Sequence, residues 1–149
     1  MHRGVVGLLL TLAAPVAASA QAQDSANPVA IVREYIAAQN RGDVDRMLSL
    51  LADRVEIRVG LTNARLASSA SSENQAELRA RFTRVVQGFP GARSEILEAI
   101  SDGSVVMTKE RTSGLPGGNS ESGLAMYRVQ NGKIHTLWAV SSSAAAGND

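Results

Sequence analysis

The sequence predicts an α+β domain in which three N-terminal helices pack on one face of a curved antiparallel sheet. Apolar residues recur at a helical spacing from Pro28 onward. Later in the chain they alternate with polar residues. The pairs Asp102-Gly103 and Asn131-Gly132 separate these alternating runs, as two-residue hairpin turns do. Helices followed by a meander of strands form a two-layer domain, because each element must bury its apolar face.

The first two helices have clear start and stop signals. Asn27 is a capping residue, and Pro28 suits the first turn, so a helix is expected over about residues 28–40. Gly42 can adopt the left-handed conformation that ends a helix, and Asp43 can cap a second one.

The period changes to two at Arg54, which predicts a strand. The small, polar residues 60–72 then predict a loop. Ser72 and Gln75 have the spacing of a capping box for a third helix, which is expected to end at Gly88. The remaining strands are expected in the segments SEILEAI, VVMTKERT, LAMYRV and KIHTLWAV.

Residues 1–22 have the pattern of a secretory signal peptide, with a basic start at Arg3 and an apolar run over residues 5–14. Cleavage is expected after Ala20 or Ala22. The alternative is a membrane anchor, but the apolar run is shorter than the ~20 residues of a spanning helix. We therefore expect a periplasmic or secreted protein that is not held in the membrane.

The mature chain has the size of one domain, expected over residues 23–143, followed by a disordered tail over 144–149. The full chain has 15 Lys and Arg against 14 Asp and Glu, and Arg3 leaves with the signal peptide. This balance gives no basic surface for nucleic acid.

The absence of cysteine excludes a thiol nucleophile and a lipid-anchored cysteine. Removal of His2 leaves His135 as the single imidazole, so no histidine metal cluster is expected. No cofactor is expected either. The run Lys109, Glu110 and Arg111 is predicted to be solvated or paired across strands.

Both faces of the last strand are largely apolar. One carries Ile134, Thr136, Trp138 and Val140, and the other carries His135, Leu137, Ala139 and Ser141. One face can pack on the helices, so the other needs a partner, most simply a second copy of the chain. We therefore expect a homodimer, with Trp138 at the interface.

Two segments, PVAIVREYIAAQNRGDVDRMLSLLADRVEI and MYRVQNGKIHTLWAV, together with the order of the elements, resemble the SnoaL-like branch of the nuclear transport factor 2-like superfamily. The resemblance spans about residues 28–141. It implies a cone-shaped fold, a deep apolar cavity between sheet and helices, and dimers. The ketosteroid isomerases of this superfamily use an Asp base with a Tyr and a protonated Asp.

The match to the ketosteroid isomerase residues is incomplete. Tyr35 corresponds to the tyrosine, whereas Val59 stands at the position of the base and Ala125 at or near that of the second Asp. Neither side chain can transfer a proton. Ketosteroid isomerase chemistry is therefore not expected, and whether the chain is an enzyme is left open.

The resemblance places several side chains in the cavity. Tyr35 and Tyr127 are candidate hydrogen-bond partners of a ligand, with packing in the core, or for Tyr127 also at the dimer interface, as the alternative. His135 is the leading acid or base candidate, with a structural role as the alternative. The residues expected to line the ligand site are Tyr35, Val59, Ala125, Tyr127, His135 and Leu137.

Three functions follow as hypotheses. The first is binding of a small apolar molecule in the cavity. The second is an isomerase, cyclase or hydratase of polycyclic or terpenoid-like substrates that uses His135 as base and Tyr35 as donor. The third is a protein-interaction module that uses the sheet.

Overall fold

The structure is a computed structural model that describes residues 27–61 and 69–142. The predicted signal peptide and the predicted tail lie outside these ranges. Within them the elements are, in order, α1 (Pro28–Arg41), α2 (Val44–Ser49), β1 (Leu51–Leu61), β2 (Ser69–Asn74), α3 (Gln75–Gly88), β3 (Arg93–Asp102), β4 (Val105–Ser113), a 3₁₀ turn (Pro116–Gly118), β5 (Glu121–Gln130) and β6 (Lys133–Ser142). None of the helices in these ranges is long and apolar enough to cross a membrane.

The strands form one sheet in the order β2-β1-β6-β5-β4-β3. All neighbours are antiparallel except β1 and β6, which run parallel. The prediction of an α+β fold is confirmed, but the description of three N-terminal helices is not matched, because the helices are interleaved with strands. β1 and β2 lie between α2 and α3.

The ends of the first two helices follow their sequence signals. The Asn27 side chain accepts a hydrogen bond of 3.0 Å from the Val29 amide, which satisfies one of the free donors of the first turn of α1. Gly42 ends α1 at a φ of +69°. Asp43 then caps α2 by accepting from the Arg46 amide at 2.9 Å.

The start of α3 differs from the prediction. Ser72 lies inside β2, where it pairs with Glu56 of β1, and does not cap the helix. Asn74 is the cap, because its side chain accepts from the amides of Ala76 and Glu77. The Glu77 carboxylate accepts from the Asn74 amide in return, which completes a capping box.

The core lies between the helices and one face of the sheet, which we call the inner face. Side chains buried there come from all three helices and from β1, β4, β5 and β6. The largest fully buried ones are Tyr35, Met47, Leu78, Ile134, Val32, Val55 and Val106. The opposite side of the sheet, the outer face, carries no helix of the described chain.

A β-bulge in β6 changes the predicted alternation of that strand. Thr136 pairs with Arg128, but Ile134 pairs with Val129, so His135 is an extra residue opposite β5. Ile134 is therefore buried with the inner-face residue Val129, whereas Trp138 lies on the outer face and is 42% exposed. The prediction that Ile134 and Trp138 share a face is wrong, because the extra residue shifts the period by one.

Candidate functional site

Strand β4 brings a carboxylate to the inner face. Val106 and Thr108 are buried there, and Glu110 follows them at the same period of two. Its sequence neighbours point the other way, where Lys109 lies 3.6 Å from Glu98 and Arg111 lies 2.7 Å from Glu95. The prediction of cross-strand pairing therefore holds for the two cations, but Glu110 belongs to a different environment.

Two neutral hydroxyl groups hold the Glu110 carboxylate. The Tyr127 hydroxyl donates to Oε1 at 2.9 Å, and the Thr108 hydroxyl donates to the same atom at 2.5 Å. Both donors are only 2% exposed, whereas Glu110 is half-buried. Neither bond reaches Oε2, which accepts no hydrogen bond from another described residue.

Tyr35 of α1 packs beside this group. Its ring meets those of Phe82 and Tyr127 edge to face, with centroids 6.2 Å apart in each case. The Tyr35 hydroxyl makes no hydrogen bond to another described residue.

Burial keeps both tyrosines neutral. It is the main cause that raises the pKa of Tyr35 above its ordinary value, and the negative charge of Glu110 acts in the same direction. The same two causes, in the same order, raise the pKa of Tyr127. At neutral pH these hydroxyls therefore serve as hydrogen-bond donors.

A cavity of about 120 Å³ opens at the end of the strands next to Glu110. Its described lining comes from β4, β5 and β6 and comprises Glu110, Thr112, Glu121, Ser122, Gly123, Leu124, Ala125, Ala139 and Val140. Small side chains at Ala125 and Ala139, which pair across β5 and β6, leave this space free. Glu110 thus connects the cavity with the buried Tyr127.

A second carboxylate on the inner side, that of Glu73 in β2, forms an ion pair with an arginine. Arg81 of α3 donates from Nε to both of its carboxylate oxygens, at 3.0 and 2.9 Å, and from Nη2 to Oε1. Ser71 donates to Glu73 at 2.7 Å. The hydrogen bonds from Arg81 are the main cause that holds the pKa of Glu73 below its ordinary value, although burial opposes them.

The predicted ligand residues are only partly brought together. Tyr35, Tyr127 and Ala125 are buried, Leu137 packs against the same core, and Val59 is 40% exposed. Of these, only Ala125 lines the cavity beside Glu110.

The structure places His135 elsewhere. It lines an open groove with residues of α2, α3, the start of β1 and the turn before β6, among them Asp45, Asp53, Arg79 and Lys133. The groove's described lining includes neither tyrosine. His135 is the extra residue of the bulge and does not point into the cavity beside Glu110. Its role in proton transfer stays a prediction.

The comparisons with known proteins identify the family. The sequence profile of the SnoaL-like domain matches residues 32–136. The chain belongs to the SnoaL-like family. No curated protein matches the sequence significantly.

Solved structures confirm the fold of this SnoaL-like chain. An NTF2-like protein of unknown function from Mesorhizobium loti is 20% identical with a TM-score of 0.62, and the match covers 76% of this chain and 89% of that one. A cystatin-fold protein from Novosphingobium aromaticivorans is 19% identical with a TM-score of 0.64, covering 75% and 96%. IdmH of Streptomyces antibioticus, provisionally named a polyketide cyclase, is 21% identical with a TM-score of 0.61, covering 77% and 91%.

Sequence reasoning missed Glu110 as a site residue of this SnoaL-like chain. The signal was the period of two in Val106, Thr108 and Glu110, which puts the carboxylate on the same side as a buried valine. Because Lys109 and Arg111 flank it, Glu110 was instead interpreted as part of a charged run on the surface. Among the described residues no group of three or more His, Asp or Glu side chains is placed to hold a metal ion.

Proposed function

We propose that this SnoaL-like protein binds a small, largely apolar molecule in the cavity at the end of β4, β5 and β6, with Glu110 as its polar anchor. The observation that carries the proposal is the Glu110 carboxylate, which reaches a cavity of about 120 Å³ while Tyr127 and Thr108 hold it from the buried side. Ligand sites in proteins commonly combine apolar walls with a few fixed polar groups.

The position of Tyr35 supports a role close to the ligand. Its ring is buried and its hydroxyl makes no hydrogen bond to another described residue, so the hydroxyl can donate to an acceptor that approaches it. An oxygen of a ligand that extends inward from Glu110 would be such an acceptor. The family match and the provisional cyclase name of IdmH also favour a small-molecule ligand.

Two-dimensional ¹H–¹⁵N spectroscopy tests the proposal. We expect ring-sized probes such as benzyl alcohol to shift the amide signals of Gly123, Ala125 and Ala139. The matched control is Ala139→Leu, whose larger side chain occupies the cavity. Shifts spread evenly over the surface, or unchanged in the control variant, would refute binding in this cavity.

A second candidate function is proton-transfer catalysis at the same site. A carboxylate hydrogen-bonded to a neutral tyrosine beside an apolar cavity is an arrangement that can take a proton from a bound substrate. This candidate uses Glu110 in place of His135, because His135 does not line the described part of the cavity. Glu110→Gln should then abolish turnover while Glu98→Gln on the outer face leaves it unchanged.

We also propose that two copies associate through the outer face. Ile100, Met107, Met126 and Trp138 are direct neighbours across four strands and form an apolar row. Three of them are at least 42% exposed, which is unusual for adjacent large apolar side chains. A different protein partner on this row is the alternative.

Export remains part of the proposal. It rests on the basic start, apolar run and small residues within residues 1–22. Fractionation of the native host, with the mass of the isolated chain, tests it. A chain recovered from the cytoplasm with its first 20 residues intact would refute export.

A further inference from the structure

The charged side chains in the described lining of the cavity beside Glu110 are all negative. Its described lining contains two carboxylates, Glu110 and Glu121, and no Lys, Arg or His. The mature chain as a whole is expected to be balanced in charge. The excess of negative charge in the cavity therefore arises from the side to which each strand residue points.

The cations nearest in sequence do not neutralise Glu110. Lys109 and Arg111 project from the outer face, where they pair with Glu98 and Glu95. Successive residues of a strand point to opposite sides of the sheet, so neither cation can turn to the cavity without breaking the register of β4.

Arg81 of α3, a cation on the inner side of the sheet, is already paired with another carboxylate. Its guanidinium binds both oxygens of Glu73 through two nitrogens, a forked pairing that uses the planar geometry of both groups. Arg81 and Glu73 therefore cancel each other's charge and leave Glu110 uncompensated among the described residues.

The hydrogen bonds that Glu110 accepts stabilise its charge without removing it. Tyr127 and Thr108 are neutral donors, and both reach Oε1 from the buried side. Oε2 accepts no hydrogen bond from a described residue. A carboxylate in this position attracts a positive group more strongly than a solvated one does, because the effective dielectric constant falls away from bulk water.

From this charge distribution we infer that the ligand of the cavity is a cation, a small organic amine whose ammonium group pairs with Glu110 Oε2. Its hydrocarbon part contacts the small apolar wall formed by Ala125 and Ala139. The inference rests on the proposed function and names the chemical class of its ligand. A carboxylic acid of the same size would be repelled by Glu110 and Glu121.

Three probes of matched shape test the inference, namely benzylamine, benzyl alcohol and benzoate, which are cationic, neutral and anionic at pH 7. Dissociation constants come from ¹H–¹⁵N titrations of the mature chain. We expect benzylamine to bind about tenfold or more tightly than benzyl alcohol, and benzoate not to bind.

The variants assign the preference to its source. Glu110→Gln keeps the shape of the side chain and should reduce the preference for the amine to about twofold or less. Glu98→Gln makes the same charge change on the outer face and should leave the preference as it is. A preference that survives Glu110→Gln but falls in Glu98→Gln would overturn the inference, since it would reflect surface charge.

The outcomes separate the inference from the proposal beneath it. If benzyl alcohol shifts the cavity amides as strongly as benzylamine does, the cavity binds small molecules but the cationic class is wrong. If none of the three probes shifts them, both the inference and the proposed cavity site are refuted.

Discussion

The hydroxyl of Tyr127 on β5 donates to Glu110 Oε1 on β4 at 2.9 Å, although the two residues are not cross-strand partners. Tyr127 pairs with Val106. The next pair on the same face, Thr108 and Ala125, lies between that pair and Glu110. The small side chain of Ala125 allows the tyrosine ring to extend along the inner face to the carboxylate. A side chain larger than that of alanine would lie in the path of the ring.

Removing this hydroxyl should cost stability. Tyr127→Phe keeps the ring and loses one hydrogen bond to a charged group, so we expect a decrease of about 1–2 kcal/mol in the free energy of unfolding. Tyr35→Phe is the matched control, because that hydroxyl has no hydrogen bond to a described residue, and its cost should stay below about 0.5 kcal/mol. Urea unfolding measures both. Equal losses in the two variants would contradict the assignment.

The two tyrosines make an alkaline titration informative. The chain contains no others, and both have a pKa raised above the ordinary 10.0, chiefly by burial. The folded protein should therefore show almost no tyrosinate absorbance as the pH passes 10.0. Because the unfolded chain loses these protons first, stability is fully present below pH 10.0 and should fall as the pH rises further.

Above pH 10.0 the tyrosinate absorbance should rise abruptly rather than gradually. We expect both tyrosines to ionise together when the chain unfolds, and circular dichroism recorded in the same titration should report unfolding at the same pH. A gradual tyrosinate signal with one half of the final amplitude, in protein that is still folded, would show that one hydroxyl is accessible to solvent.

The sequence predicted those parts of the fold that local patterns determine. Asn27 and Gly42 bound the first helix because capping and a positive φ depend on neighbouring residues alone. The turn at Asn131 and Gly132 likewise has the positive φ values that its residues favour, +50° and +73°. These features need no knowledge of the rest of the chain.

The parts that were missed depend on distant partners. The strand β2 has the composition of a loop, and it is a strand because β1 offers it a free edge. The bulge at His135 arises where β6 must pair with β5 on one side and β1 on the other. The period of two places Glu110 on the inner face, but its anchoring depends on Tyr127, 17 positions away, whose hydroxyl donates to it.

The Glu73–Arg81 pair should make stability depend on acid. Because the pKa of Glu73 is held below its ordinary 4.5, chiefly by Arg81, the pair stabilises the fold above pH 4.5 and loses its effect as the pH falls through the lower, folded pKa. Glu73→Gln should cost about 1–2 kcal/mol at pH 7, a modest value because the Arg81 side chain is 38% exposed.

Unfolding in urea at a series of pH values from 7 downward measures this difference. The gap between the parent chain and Glu73→Gln should be largest at pH 7 and narrow below pH 4.5. Glu95→Gln, which breaks the exposed pair with Arg111, is the control and should change stability by less than about 0.5 kcal/mol. A gap that widens in acid would refute the assignment.

Asn40 should stabilise the edge strand β3. Its side-chain amide donates to the Ser94 carbonyl and accepts from the Ser94 amide, both at 2.8 Å, and so takes the place of a neighbouring strand. Asn40→Ala leaves both backbone groups without these partners and should cost about 1–3 kcal/mol. Hydrogen exchange at the Ser94 amide should accelerate more than exchange at Val106. Unchanged protection at Ser94 would contradict this role.

The apolar row on the outer face should control self-association. Trp138 is the only tryptophan of the chain and is 42% exposed, so its fluorescence reports on this face alone. We expect its emission to shift to longer wavelength on dilution, as a dimer separates and water reaches the indole.

Met107→Glu puts a charge in the middle of the row and should give a monomer by sedimentation velocity, because an unpaired charge at an apolar interface is costly. Val85→Glu is the control, since it changes an exposed apolar residue of α3 and should leave the dimer intact. A parent chain that is monomeric at high micromolar concentration, with emission independent of dilution, would exclude the dimer and leave this row as a surface for a different partner.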